Sequence, residues 1–145
     1  MSEIDPNLLR DIIMDHYQYP RNHELTKEEG YHSCHMASDS CIDDITVQAK
    51  FDGDRIEDVR FDGEACTIST ASTSIMSELV KGRTKEEAME IIQNYFAMVD
   101  QKEYDEDLLE EAVAFQNVGK QANRINCATI GWKALRDMIK ESEGQ

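Results

Sequence analysis

The chain has 145 residues, with 30 acidic and 15 basic side chains and a formal net charge of −15. That length suits one domain spanning residues 1–145, which can bury a core without disulfide staples. The charge disfavours nucleic acid or an anionic membrane surface as a partner and favours docking on a basic protein.

No apolar run approaches a membrane span. The opening Met1-Ser2-Glu3-Ile4-Asp5-Pro6 has neither the basic start nor the apolar stretch of a signal peptide, so the protein reads as cytoplasmic. Its four cysteines, Cys34, Cys41, Cys66 and Cys127, are then expected to stay reduced and to serve metal or thiol chemistry rather than disulfides.

Asp5-Pro6 pairs an N-cap with proline at the first helical position. Leu8, Leu9, Ile12, Ile13, His16 and Tyr17 recur at helical spacing, so an amphipathic helix is predicted to end before Pro20. Residues 20–43 have little periodicity and read mostly as loop, with a short edge strand at 31–36. Ile45, Val47, Ala49 and Phe51 alternate with polar residues and predict a strand with one wet face. Asp52-Gly53 turns the chain into an antiparallel strand through Ile56, Val59 and Phe61, where Glu57-Asp58 breaks the alternation and signals a bulge or an exposed edge. A third strand is expected at 64–68, carrying Cys66 to a helix capped by Ser69 or Thr70, with Ala71, Ile75, Met76, Leu79 and Val80 on its apolar positions.

Thr84 and Glu87 form a capping box ahead of a stripe of Ala88, Ile91, Ile92, Tyr95, Phe96 and Val99. Seven acids fall among the twelve residues 100–111, a solvated face or a docking surface, and a shorter helix through Leu108, Leu109, Val113 and Phe115 follows. Asn126 is expected to cap the last helix. That places Cys127 in its first turn, ahead of Ile130, Ala134, Leu135, Met138 and Ile139.

Cys66 thus lies just ahead of a helix N-terminus, where unpaired N–H groups and the positive dipole end favour an anionic sulfur, the form that binds metal or attacks sulfur. Cys41 and Asp43 lie two apart, so an extended segment sends both side chains to the same side. Cys41, Asp43, Cys66 and Cys127 would supply three sulfurs and one oxygen, a tetrahedral set acceptable to zinc, with an iron–sulfur cluster the competing occupant. Separations of 25 and 61 residues between the cysteines make no compact knuckle, and each thiol could also be a small buried hydrophobe. His32-Ser33-Cys34-His35 invites a metal reading, but the incidental reading is preferred. His16 and His23 read as histidines that find a hydrogen bond, and Met76, Met89, Met98 and Met138 as core.

Asp15-His16-Tyr17-Gln18-Tyr19-Pro20-Arg21-Asn22, then Cys41-x-Asp43, then Phe61-Asp62-Gly63-x-x-Cys66-x-Ile68-Ser69-x-Ala71-Ser72 together resemble the IscU-type iron–sulfur assembly proteins, over nearly the whole chain. An extra segment of roughly twenty residues before the last cysteine, with Arg124-Ile125-Asn126-Cys127-Ala128-Thr129-x-x-Trp132-Lys133-Ala134-Leu135, is similar to the SufU branch of that family. The resemblance implies an α+β fold of the SufE/IscU-like kind, a three-stranded antiparallel sheet packed by helices. It implies zinc held by Cys41, Asp43, Cys66 and Cys127, with Cys41 accepting persulfide sulfur from a SufS-type cysteine desulfurase and passing it on. Arg124 is expected to orient the loop or the incoming sulfur, and the SufBCD assembly complex is the further partner the resemblance offers. The alternative is a scaffold that assembles and transfers a [2Fe–2S] cluster. Against it, Asn126 stands where the scaffolds carry histidine, and their Leu-Pro-Pro-Val-Lys motif is absent. Ile42 and Ala65 stand where the SufU branch usually has glycine, and a β-branched Ile42 predicts a different loop path if that glycine served a positive φ.

Overall fold

The computed structural model describes residues 5–37 and 43–143. Helix α1 (Pro6–Gln18) starts as the sequence dictates, with the Asp5 side chain accepting the Asn7 amide and Pro6 at the first position. A loop leads to β1 (Tyr31–Ala37), which pairs antiparallel with β2 (Asp44–Asp52), and β2 pairs with β3 (Arg55–Glu64) in the order β1-β2-β3. The edge strand expected at 31–36 is therefore one of the three. The strand expected at 64–68 does not form. Instead β3 runs on past Phe61 to Glu64 because its register against β2 continues to Glu64 opposite Asp44. Lys50 faces Asp58 while Phe51 faces Ile56, which leaves Glu57 as the extra residue of a bulge where the alternation breaks.

Gly63 makes the close of β3 possible. Its φ of +131° suits glycine alone, and a Cβ there would sit 2.2 Å from the Asp44 carbonyl. Ala65 takes no positive φ, so the alanine in place of glycine adds no backbone strain.

Helix α2 (Thr67–Val80) is the hub. Eleven of its fourteen residues are buried, including Ser69, Thr70, Ser72, Thr73, Ser74 and Ser77. It packs on β3 and α5 (Ala122–Glu143) on one side, and on α1 and the 3₁₀ segment Glu110–Phe115 on another. A helix buried all round needs side chains small enough for close neighbours, and the Ser/Thr/Ala run supplies them. Val47, Ala49, Val59 and Phe61 on the inner sheet face complete that core with Trp132, Leu135 and Ile139 of α5. Gly131 brings α5 against α2, since a Cβ there would meet Thr73 Oγ1 at 2.4 Å.

The stretch from Asp15 to Asn22 proves to be the clamp between α1 and α2. Arg21 binds Asp15 at 2.7 Å, Ser74 Oγ receives the Arg21 amide and bonds His16 Nδ1, both at 2.8 Å, and Asn22 Nδ2 donates to Ser77 Oγ at 2.9 Å. Asn22 adopts φ +56°, tolerable for asparagine, and its carbonyl accepts the Phe61 amide.

Helix α3 (Lys85–Val99) opens with the full reciprocal capping box of Thr84 and Glu87. After it, the expected shorter helix is broken into α4 (Glu106–Leu109) and 3₁₀ turns at Glu110–Phe115 and Val118–Lys120. The chain passes so close to α3 at Gly119 that a Cβ there would meet the Val99 carbonyl at 2.0 Å. Among the described residues, no helix is long and apolar enough to cross a membrane.

Candidate metal centre

Three of the four predicted ligands come together. Asp43 precedes β2, Cys66 closes the turn between β3 and α2, and Cys127 lies on α5. One donor atom from each lies within 4.8 Å of the others. Cys41 lies outside the described residues, as does Ile42.

Cys66 itself is the N-cap of α2, not Ser69 or Thr70. Its extended backbone, φ −72° and ψ 172°, lets Sγ receive the Ser69 amide at 3.4 Å. A thiol in the cap position can replace a hydroxyl here because the sulfur is aimed at the first turn's orphan N–H groups. Asp43 is 1% exposed, and one carboxylate oxygen holds the site's backbone: Oδ1 accepts the Cys66 amide at 2.8 Å, while Oδ2 lies 3.9 Å from Cys66 Sγ. Sequence reasoning takes Asp43 only as a ligand. Its grip on the Cys66 amide depends on β2 and β3 being paired up to Asp44 and Glu64, so no local pattern announces it.

Cys127 is buried, at 5% exposure, and sits in the second turn of α5 rather than the first. The helix begins at Ala122, five residues before the cysteine, so Asn126 is inside it and does not cap it. Cys127 therefore reaches the site from a helix flank, facing the N-terminus of α2. Arg124, in the first turn, is exposed and lies outside the three-residue cluster. It lines a groove of about 250 Å³ with Arg10, Ile13, Ile68 and Phe115.

Cys34 does not join the site. His32 and Cys34 share the inner sheet face opposite Ala49 and Val47, while His35 points to the other face and binds Asp44. Strand alternation thus separates the elements of the His-x-Cys-His pattern. Burial, and then the carboxylates of Asp137 and Glu141, push the Cys34 thiol pKa up, leaving it a protonated, half-buried side chain at neutral pH.

Two sulfurs and one carboxylate oxygen this close, one of them the cap of a helix and one buried, form a donor set that borderline-soft Zn²⁺ accepts and that hard cations such as Mg²⁺ do not favour. The NifU-like N-terminal domain family matches residues 8–144. The chain belongs to that family. It is 40% identical over 138 residues to the zinc-dependent sulfurtransferase SufU of Bacillus subtilis, covering 94% of this chain and 92% of the other. It is 37% identical to the iron–sulfur cluster assembly scaffold protein IscU of Streptococcus pyogenes, covering 94% and 85%. A crystal structure of a candidate SUF-system cluster assembly scaffold, SufU of Fervidobacterium islandicum AW-1, superposes with a TM-score of 0.78 at 36% identity, covering 86% of this chain and 91% of that one. The expected α+β fold is the fold observed: among the described residues, five helices pack on a three-stranded antiparallel sheet.

Proposed function

We propose that this chain is a zinc-dependent sulfur acceptor of iron–sulfur cluster biogenesis, working in the cytoplasm with a SufS-type cysteine desulfurase and delivering toward a SufBCD-type assembly complex. The observation that carries the reading is the convergence of Asp43, Cys66 and Cys127 within 4.8 Å, from three elements far apart in sequence. The likeness to a named zinc-dependent sulfurtransferase over 94% of the chain supports it.

Asp43, Cys66 and Cys127 would hold the ion and Cys41 would complete the set. An ion held there would keep these thiols deprotonated at neutral pH. Cys41 is the sulfur acceptor in this reading. Its thiolate attacks the terminal sulfur of the desulfurase persulfide, a Cys41 persulfide forms, the enzyme's own S–S bond breaks, and the desulfurase cysteine leaves as thiolate. Asp43 keeps Cys66 in place through its amide while this happens, and Cys66 and Cys127 would be the residues that go on holding the ion. Arg124, exposed three residues before Cys127, orients the incoming sulfur by its positive charge.

The test is metal analysis with a desulfurase assay, with and without a chelator. Purified protein is expected to hold one zinc and to stimulate the desulfurase. Cys41→Ala should abolish sulfur acceptance, while Cys66→Ala and Cys127→Ala should lose zinc and melt earlier, because metal affinity is folding free energy. Full activity in Cys41→Ala would refute the acceptor role.

The second reading is a [2Fe–2S] scaffold, favoured by the 37% identity to a named IscU. Anaerobic reconstitution with iron and sulfide separates the two. A stable chromophore passed to an apo-protein faster than zinc-dependent stimulation of the desulfurase would select the scaffold.

A further inference from the structure

The polar groups of Ser72, Tyr95 and Trp132 are buried in the core, cap no helix and lie outside the three-residue metal cluster. Ala128, the residue after Cys127, offers a carbonyl that accepts two side-chain hydrogen bonds, from Ser72 Oγ at 2.6 Å and from the Tyr95 hydroxyl at 2.6 Å. The indole Nε1 of Trp132 donates to Ser72 Oγ at 2.9 Å. The Trp132 and Tyr95 rings stack with centroids 3.8 Å apart and planes 4° from parallel. Ser72 is 1% exposed, and Tyr95, Ala128 and Trp132 are fully buried.

Three helices meet in this cluster. Ser72 stands on α2, whose N-cap is Cys66; Tyr95 stands on α3; Ala128 and Trp132 stand on α5 beside Cys127. Burying these groups has a desolvation cost, and apolar side chains of the same shape would hold three helices together about as well. What apolar packing cannot supply is direction. A hydroxyl bonded to one carbonyl fixes how far α5 slides and turns against α2, whereas methyl contacts tolerate a shift of a few tenths of an ångström. Metal–sulfur bonds do not tolerate such a shift, since working sites keep their distances within about 0.2 Å. The polar cluster lies where that tolerance matters, one residue from Cys127 and less than two turns from Cys66.

We propose that Ser72, Tyr95 and Trp132 form a hydrogen-bonded bracket on the Ala128 carbonyl that sets the spacing of Cys66 and Cys127, making them positioning residues of the metal centre. The proposal rests on the reading that Asp43, Cys66 and Cys127 hold the metal. Its effect is on preorganisation: with the bracket intact, the two sulfurs stand at ligand spacing before the ion arrives, and binding needs no helix movement.

The experiment uses the full chain carrying Tyr95→Phe or Ser72→Ala, each of which removes a hydroxyl and keeps the side-chain body. Ile91→Val, a buried methyl lost one turn earlier on α3, is the control for destabilisation without loss of the bracket. Zinc dissociation constants are measured by competition with a chromogenic chelator, the visible d–d bands of the Co²⁺ derivative report ligand geometry, and chelator-treated protein gives the metal-free melting temperature. The expected result is a 10- to 100-fold weaker zinc affinity in Tyr95→Phe and Ser72→Ala with displaced Co²⁺ bands, and parental values of both in Ile91→Val. Zinc affinities within twofold of the parent and unmoved Co²⁺ bands in both bracket variants would overturn the proposal, as would equal weakening in Ile91→Val. Should Ser72→Ala not fold, Tyr95→Phe decides alone. A parent protein that takes up neither zinc nor cobalt overturns the metal reading itself, and the bracket's role with it.

Discussion

Gly131 offers the sharpest test of how the two cysteine-bearing helices are held. It lies one turn beyond Cys127 on the same side of α5, and Thr73, which it faces, lies two turns beyond Cys66 on α2. A Cβ at 131 would stand 2.4 Å from Thr73 Oγ1, 2.8 Å from Cγ2 and 3.0 Å from Cβ. Ordinary non-bonded contacts need about 3.5 Å, so Gly131→Ala demands roughly 1 Å of separation between the helices. Thr73 cannot swing aside, because it is fully buried and its β-branched side chain has few rotamers in a helix. Overpacking of this kind costs about 1–3 kcal/mol, against a gain of up to about 1 kcal/mol from replacing glycine by alanine in a helix interior. With the full alanine gain the net loss is about 0–2 kcal/mol, a drop of up to about 8 °C in melting temperature for a chain of this size. A 1 Å displacement also exceeds what metal–ligand bonds absorb, so zinc affinity should fall at least about tenfold. Thermal denaturation of chelator-treated protein and chelator competition on the zinc form measure the two losses. A Gly131→Ala protein more stable than the parent, with parental zinc affinity, would show that the helices do not meet as closely as this reasoning requires.

Gly63→Ala should be more damaging to the fold, by about 2 kcal/mol or more, because the residue combines φ +131° with a Cβ position 2.2 Å from the Asp44 carbonyl; urea midpoints against the parent check it. Asp43→Asn keeps an oxygen able to accept the Cys66 amide but removes the charge, so the metal-free protein should melt within a few degrees of the parent while zinc affinity, by competition, drops tenfold or more. His16 is buried with Ser74 on Nδ1 and Glu111 3.4 Å from Nε2. Burial, then the charge of Arg21, pull its pKa below the ordinary value of 6.5, against the opposing pull of Glu111 and Asp15. The unfolded chain therefore takes up the proton first, and the stability tied to neutral His16 is complete above about pH 6.5 and is lost as pH falls below it. Denaturant midpoints of chelator-treated protein at pH 7.5 and 5.5 should fall more steeply for the parent than for His16→Gln; equal slopes would remove His16 as the cause. Asp58 behaves oppositely to what burial alone dictates. Burial would raise its pKa, but hydrogen bonds from Tyr31, Arg60 and Lys81 prevail and hold it down to about 2, so it contributes stability above about pH 4 that is lost as pH falls from about 4 through 2. Lys81→Met should make that acid loss smaller, levelling off at a higher pH, in a stability titration.

Much of the architecture is written locally in the residues. The Asp5-Pro6 start, the Thr84–Glu87 box, the Asp52-Gly53 turn and the break in alternation at Glu57 are each decided by neighbours within a few positions, and each appears where the pattern puts it. The misplaced features are those in which a distant partner outvotes the local signal. Ser69 and Thr70 are good caps by type, yet the pairing of β3 with β2 extends to Glu64 and delivers the chain to α2 three residues early, so a cysteine takes the cap. Asn126 is a good cap by type too, but the 3₁₀ turn ending at Lys120 releases the chain into α5 at Ala122.

The residues alone therefore determine which groups are available for chemistry: a thiol before a helix, a thiol on a helix, a carboxylate two positions from a further thiol, in a strongly acidic chain. Tertiary structure alone decides that Asp43, Cys66 and Cys127 share one place and that Cys34 does not. The reason is physical. Strand alternation and helix capping act over a few residues, whereas the meeting of α2 and α5 depends on Gly131 against Thr73 and on hydroxyls of Ser72 and Tyr95 reaching one carbonyl, contacts between residues 33 to 58 positions apart that no short-range periodicity encodes.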